Sequence, residues 1–292
     1  MSVHGILVID KPRGLSSAAA VEHVKRALGV DRAGHGGTLD PLATGVLAIC
    51  LNAGTKIAQY LQADDKAYEA TGVLGIETDT LDQTGRVTAE REVVVTEAAL
   101  RELLALRTGE QDQIPPMYSA IKQGGVRLYH RARNGEDVDR PARQIRIDRL
   151  ELLAFEPPRF RIAIACSKGT YVRSILADLG TALGCGAHLA ELRRTRSGRL
   201  SIAQAVPVDA VGGLDVSGLI PLAQATGLPS VVAAADLVGP IRSGLQLATE
   251  AFPPHEHQLF QIVDEQGRLV AIAHPGAGRV IYDRVFRADA TS

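Results

Sequence analysis

Between Gly34 and Leu47 the chain reads GHGGTLDPLATGVL, which sets one carboxylate, Asp40, between a glycine-rich turn and Pro41. Glycines allow positive φ and let a ligand come close to the backbone. Proline fixes the chain just after the acid. Leu39, Leu42, Val46 and Leu47 are placed to anchor the loop in a core, so the carboxylate is held in one place. A held carboxylate can act as a nucleophile or as a base. By itself, an Asp-Pro pair among glycines also reads as an ordinary turn. A phosphate cradle has weaker support still, because no Lys-Ser or Lys-Thr follows the glycines and the G-x-G-x-x-G spacing is absent.

Other chemistries find little support. Cys50, Cys166 and Cys185 have neither the spacing of a disulfide framework nor that of a zinc site. Cys50 falls in an apolar run and reads as a small core residue. His255-Glu256-His257 reads as a solvated loop, since no further ligand clusters with it. The chain has 292 residues, is 46% hydrophobic and 22% charged, and so is globular, with room for one large domain or two smaller ones. It contains no apolar run long enough to span a bilayer. The opening MSVHGILVIDK has no leader pattern, so a reducing cytoplasm is expected.

The net charge is −1, yet the charge is unevenly spread. Ser119–Arg149 holds eight Lys and Arg against four acids, and Lys168–Arg199 holds six against two. A polyanion responds to the local field of such patches, not to the molecular average. Residues 201–292 are acidic, with five Arg against nine Asp and Glu.

The elements that must position these residues alternate along the chain. Gly5–Lys11 predicts a buried strand, and Ser16 or Ser17 caps a helix over Ala18–Leu28 that Gly29 stops. Ala33–Gly45 predicts a loop, Val46–Leu51 a strand, Lys56–Leu61 a short helix, Tyr68–Leu74 a strand and Glu77–Gly85 a polar loop. Thr96 caps a helix over Glu97–Leu106. Ile114–Pro141 is rich in Gly, Pro and Arg and predicts a short basic helix around Arg127–Arg133. Gln144–Phe155 and Arg159–Cys166 alternate around Pro157–Pro158, a hairpin signal. Thr170–Leu183 predicts a helix and His188–Leu192 a strand. Val206–Pro229 predicts a linker. His257–Val263, Leu269–Ala273 and Val280–Phe286 predict the strands of a small tail module. Antiparallel pairs dominate, so the class is α+β.

Five ordered blocks together resemble the bacterial tRNA pseudouridine-55 synthase family. They are GILVIDKPRGLSS (Gly5–Ser17), the Asp40 run, DKAYEATGVLGIETDTLDQTG (Asp65–Gly85), IPPMYSAIKQGGVRLYHRARNG (Ile114–Gly135) and CSKGTYVRSILADLGTALGCGAHLAELRR (Cys166–Arg194). The resemblance implies a mixed, largely antiparallel catalytic domain over residues 1–225 with a basic RNA-binding insertion at about 114–141. It also implies a small PUA-like β module over 230–292.

The same resemblance implies isomerisation of one T-loop uridine of tRNA by a cytoplasmic monomer, with no cofactor, no metal, no membrane and no obligate protein partner. Asp40 matches the catalytic aspartate. It can attack the sugar C1′, attack the uracil C6 or act as a base on the sugar, and the sequence leaves all three open. Arg173 matches the arginine paired with that aspartate, since guanidinium keeps a buried carboxylate ionised without competing as a base. Tyr68 matches the aromatic that stacks on the everted uracil and handles its C5 proton. Tyr171 and Leu192 match the lining of the uracil pocket, and His35 matches a contact to the displaced nucleotide. Lys11 and Pro12 match a motif that supports the loop. Gly37 stands where many relatives carry threonine. Eversion of a base costs a few kcal/mol, and Lys122, Arg127, Arg131 and Arg133 around Gly124–Gly125 are expected to offset it as the insertion closes on RNA. A tRNA-folding protein without essential chemistry and a nucleosidase are the rival readings; loss of product at Asp40→Asn with binding kept excludes the first, and absence of free uracil excludes the second.

Overall fold

The computed structural model describes residues 3–119, 121–128, 131, 136, 138–248 and 259–288. They sort into two compact bodies, Met1–Asp64 with Arg196–Ser292, and Asp65–Thr195.

In the first body, β1 (Gly5–Lys11) leads into α1 (Ser17–Leu28). Ser16 caps this helix by accepting from the Ala19 N–H, and Gly29 ends it at φ 61°. The buried stripe of α1 is Ser17, Ala20, Val21 and Val24. β2 (Ala33–His35) and β1 each pair antiparallel with β3 (Thr44–Leu51). The predicted loop over Ala33–Gly45 therefore begins as a strand. Its Ala-Gly-His side chains carry no strand signal, but its backbone is paired with β3. α2 (Ala58–Ala63) follows and places Leu61 in the core.

The second body carries β4 (Lys66–Leu74), β5 (Ile76–Thr78), β6 (Val87–Glu90), α3 (Glu97–Leu106) and β7 (Gly109–Gln113). β8 (Lys122–Gln123) and β9 (Val126–Arg127) form a small hairpin over Gly124 and Gly125, both at positive φ. β10 (Arg143–Glu156), β11 (Arg159–Cys166), α4 (Val172–Ala182) and β12 (Ala187–Ser197) complete it. The sheet order is β12-β4-β11-β10-β7. α4 lies close on β4. A Cβ built at Gly72 would sit 2.5 Å from Leu176 and 2.4 Å from the Phe160 ring, so only glycine fits between helix and sheet. The predicted polar loop Glu77–Gly85 is instead entered and left by the paired strands β5 and β6. Of the predicted basic helix, Arg127 lies in β9, and Arg133 lies outside the described residues.

Back in the first body, β13 (Leu200–Ser201) turns against the end of β12, and β14 (Val206–Pro207) runs parallel to β1. After α5 (Leu222–Ala225), β15 (Ser230–Val232) and α6 (Ala235–Arg242) come β16 (Phe260–Val263), β17 (Leu269–Pro275) and β18 (Val280–Val285). The last sheet has the order β15-β16-β17-β18. Residues 206–229 are not a free linker. Val208, Val211, Leu222 and Ala225 are buried, and the last two share a core with Ile6, Val8, Leu269, Ile272 and Phe286. The Gly and Pro content reads as a loop, whereas the apolar residues between them dock. His255 and His257 lie outside the described residues.

All three cysteines are free and buried. Burial pushes the Cys50 thiol up to about 12 and the Cys166 thiol up to about 11. Among the described residues no helix is long and apolar enough to cross a membrane, and no cluster of His, Cys, Asp and Glu fit to hold a metal ion is found.

Candidate active site

Asp40 is half-buried, and the backbone around it is fastened at each step. The Ser17 hydroxyl accepts from the Leu39 N–H at 2.8 Å and donates to the Leu39 carbonyl at 2.9 Å. The Asp40 carbonyl accepts from the Ala43 N–H at 3.0 Å, and the Pro41 carbonyl from the Gly14 N–H at 2.7 Å. Leu39, Leu42 and Ala43 are buried. Upstream, the Gly36 N–H donates to the Ala48 carbonyl at 2.9 Å. A Cβ at Gly36 would meet the Leu61 Cβ at 2.8 Å, so the loop is pressed onto the core there. Gly37 has φ 138°, a conformation that side chains resist.

Lys11 ends β1 and is fully buried. Its ammonium donates to the Pro12 carbonyl at 2.9 Å and to the Leu15 carbonyl at 2.7 Å. A buried charge demands such partners. Here they curl residues 12–15 into the turn whose Gly14 N–H reaches Pro41. His35 closes β2, paired with Ile49. Lys11, Pro12 and the Asp40 loop thus belong to one neighbourhood of the first body, and His35 lies on β2 beside β3.

In the second body, Tyr171 is the N-cap of α4 and Arg173 sits in its first turn. The Gln113 amide holds Tyr171 at both backbone groups: its nitrogen donates to the Tyr171 carbonyl at 3.0 Å and its oxygen accepts from the Tyr171 N–H at 2.8 Å. Arg173 is 5% exposed. Its guanidinium donates to the Thr80 carbonyl at 3.0 Å and the Tyr118 carbonyl at 2.8 Å, and lies 3.7 Å from the Asp82 carboxylate. Asp82 is also buried. It accepts from the Thr80 hydroxyl at 2.9 Å, the Thr84 N–H at 2.9 Å and the Thr84 hydroxyl at 2.5 Å. The loop holding Asp82 is tied to β12 through Leu81 and Gln83, each bonded to Leu189.

Side chains alternate along β4, so Tyr68 shares the face of Ala70, Gly72 and Leu74, the face on which α4 packs. Leu192 lies on β12, the strand next to β4. Tyr171 and Arg173 thus stand at the start of α4, while Tyr68 and Leu192 lie on the neighbouring strands β4 and β12. In the insertion, Lys122 and Arg127 are cross-strand partners in β8 and β9, and the Arg131 guanidinium is 3.9 Å from the Glu136 carboxylate.

Two residues of these neighbourhoods, Asp82 and Gln113, carry no assignment from sequence, and Ser17 carries only that of a candidate helix cap. Ser17 left a signal as the polar member of the apolar stripe Ser17-Ala20-Val21-Val24. Asp82 left one in the alternation Thr78-Thr80-Asp82-Thr84, hydroxyls spaced around a carboxylate. Gln113 left none, since its partner is backbone 58 residues away.

Residues 25–172 match the pattern described as TruB family pseudouridylate synthase (N terminal domain), and residues 173–215 match that of the tRNA pseudouridylate synthase B C-terminal domain. The chain is 50% identical over 217 residues to the tRNA pseudouridine synthase B of Pseudomonas paraeruginosa, covering 74% of this chain and 71% of that one. It is 51% identical over 220 residues to the tRNA pseudouridine synthase B of Aromatoleum aromaticum, covering 75% and 71%. A chain in the crystal structure of a Cbf5-Nop10-Gar1 complex is similar in fold, with a TM-score of 0.79 and 27% identity, covering 98% of this chain and 85% of that one.

Proposed function

The chain belongs to the TruB family of pseudouridylate synthases and isomerises uridine to pseudouridine in tRNA; from that premise we propose that its target is the uridine at position 55 of the T-loop and that Asp40 carries the chemistry. The observation that supports this most is the fastening of Leu39, Asp40 and Pro41 by Ser17, Ala43 and Gly14. Such a frame lets a carboxylate meet a substrate without first being ordered.

The reaction breaks the N1–C1′ bond, turns the uracil and joins C5 to C1′. The C5 proton leaves and N1 takes up a proton, so every heavy atom is retained. Asp40 acts by attack on C1′, by attack on C6 or as a base on the sugar. Arg173 pairs with it, Tyr68 stacks on the uracil and handles the C5 proton, and Tyr171 and Leu192 line the base pocket. His35 contacts the displaced nucleotide, and Lys11 and Pro12 support the loop. Lys122, Arg127 and Arg131 bind RNA phosphates. The domain division is 1–225 and 230–292, and the protein works as a cytoplasmic monomer.

The test uses an unmodified tRNA transcript and maps pseudouridine by chemical labelling. The wild-type protein is expected to convert a single T-loop uridine. Asp40→Asn is expected to lower the rate on the order of 10⁴-fold, as when a group acting on the reacting atoms is removed, while tRNA affinity stays within a few-fold. Product from Asp40→Asn, or loss of its binding, overturns the assignment.

A further inference from the structure

We infer that Ser17 is a positioning residue for catalysis, the group that sets the direction of the Asp40 carboxylate. This rests on the assignment of the chemistry to Asp40. Ser17 is 3% exposed and Leu39 is 4% exposed, so water cannot stand in for either partner. A hydroxyl has one proton to give and lone pairs to accept with. Ser17 uses both on a single residue, accepting from the Leu39 N–H and donating to the Leu39 carbonyl.

That two-point grip has a geometric consequence. With both polar groups of Leu39 held by one oxygen, neither φ nor ψ of Leu39 can turn without breaking a bond. The next residue is Asp40, whose Cα is placed by those angles, so the base from which its side chain starts is fixed. On the far side Pro41 has a fixed φ, and its carbonyl is bonded to the Gly14 N–H at 2.7 Å. The backbone on either side of Asp40 is thus bracketed by bonds from Gly14, just ahead of α1, and from Ser17, which opens that helix 22 residues before Leu39. Lys11 shapes the 12–15 turn that supplies Gly14, whereas Ser17 grips the peptide units directly preceding the acid. The serine doublet divides the work: Ser16 caps α1 and Ser17 turns into the core.

Loss of the hydroxyl should loosen aim without touching RNA. For Ser17→Ala, single-turnover conversion at saturating enzyme is expected to fall about 10- to 100-fold, the scale of a small misplacement of a reacting group, with tRNA Kd unchanged within about twofold. Ser16→Ala, an identical change one residue away, is expected to lower Tm by weakening the helix cap and to leave the single-turnover rate at the wild-type value. A wild-type rate for Ser17→Ala overturns the inference. So does a loss of rate in both serine variants in proportion to their loss of Tm, which marks a structural role only. If Ser17→Ala does not fold, Ser17→Cys decides, because a thiol is a weak donor and a weak acceptor of similar size: a slowed, folded protein supports the grip and a wild-type rate overturns it. Asp40→Asn is run beside them. Activity in that variant defeats the assignment of Asp40, while an inactive Asp40→Asn with a fully active Ser17→Ala defeats only the role of Ser17.

Discussion

Asp40 and Arg173 are held by different means. Around Asp40 the chain is fixed by neutral partners, a serine hydroxyl and the N–H groups of Gly14 and Ala43 bonded to the backbone, and the residue is half-buried. Around Arg173 the side chain is gripped directly, by two carbonyls and the Asp82 carboxylate, in a nearly dry setting. A group that must react is aimed through its backbone. A group that must stay charged is held by its head. The first arrangement tolerates little change in loop geometry and the second little change in charge.

The comparison is broken most severely by removing charge at Arg173. Arg173→Ala leaves Asp82 buried without its cation and is expected to cost about 3–5 kcal/mol of stability, measured by urea unfolding. Arg173→Lys keeps the charge but not the planar fork, and a single ammonium cannot span the Thr80 and Tyr118 carbonyls and Asp82 together. It should unfold earlier than wild type and gain no more than part of the loss at Ala. If lysine restores full stability and full activity, charge alone is what the site requires.

Asp82→Asn comes next. The amide keeps its size, yet the guanidinium loses the charge of the Asp82 carboxylate, at an expected cost of about 1–3 kcal/mol. Combined with Arg173→Ala in a double-mutant cycle, the two losses should fall well short of adding, since each empties one shared network. Additive losses would separate Asp82 from Arg173.

Geometry is tested at Gly36. A Cβ there meets the Leu61 Cβ at 2.8 Å, so Gly36→Ala must shift loop or helix, at about 1–3 kcal/mol. The single-turnover rate should fall with it, because the loop carries Asp40. A variant that unfolds earlier at an unchanged rate would mean the loop relaxes upstream of the acid.

Much of this was legible beforehand. A serine cap at Ser16 or Ser17, Gly29 as stop, the Thr96 cap and the hairpin over Pro157–Pro158 are written locally, and each appears where predicted, with Ser16 as the cap. The loop pressed on the core was legible in Leu39 and Leu42, both buried. What stayed hidden depends on partners far along the chain. β2 is a strand only because β3 lies beside it. Residues 206–229 look like a tether until Leu222 and Ala225 meet a core begun at Ile6. Ser17 and Asp82 declared their polarity, but their partners at Leu39 and Arg173 could not be read from spacing.

The smallest expected effect lies far from either residue, in the β16–β17 turn. Burial raises the Asp264 carboxyl, but bonds from the Arg268 N–H and guanidinium and from the Gln266 N–H outweigh it and hold the carboxyl below the usual carboxylate range. A carboxyl depressed in the folded state stabilises above its unfolded pKa of about 4, and that stability is lost as the pH falls through the folded value. Asp264→Asn should therefore lower Tm at neutral pH and narrow the gap between Tm at pH 7 and in acid. An unchanged gap would show that the turn does not contribute to acid sensitivity.

The three sulfhydryl groups, at Cys50, Cys166 and Cys185, are shut away from solvent, and two are held far from ionisation at neutral pH. Alkylating reagents attack thiolates they can reach, so the folded native chain should remain unlabelled. A single cysteine introduced on the surface would then be the one handle for a fluorophore, with no background to remove, and the approach of RNA to the insertion could be followed in real time on an otherwise unaltered protein.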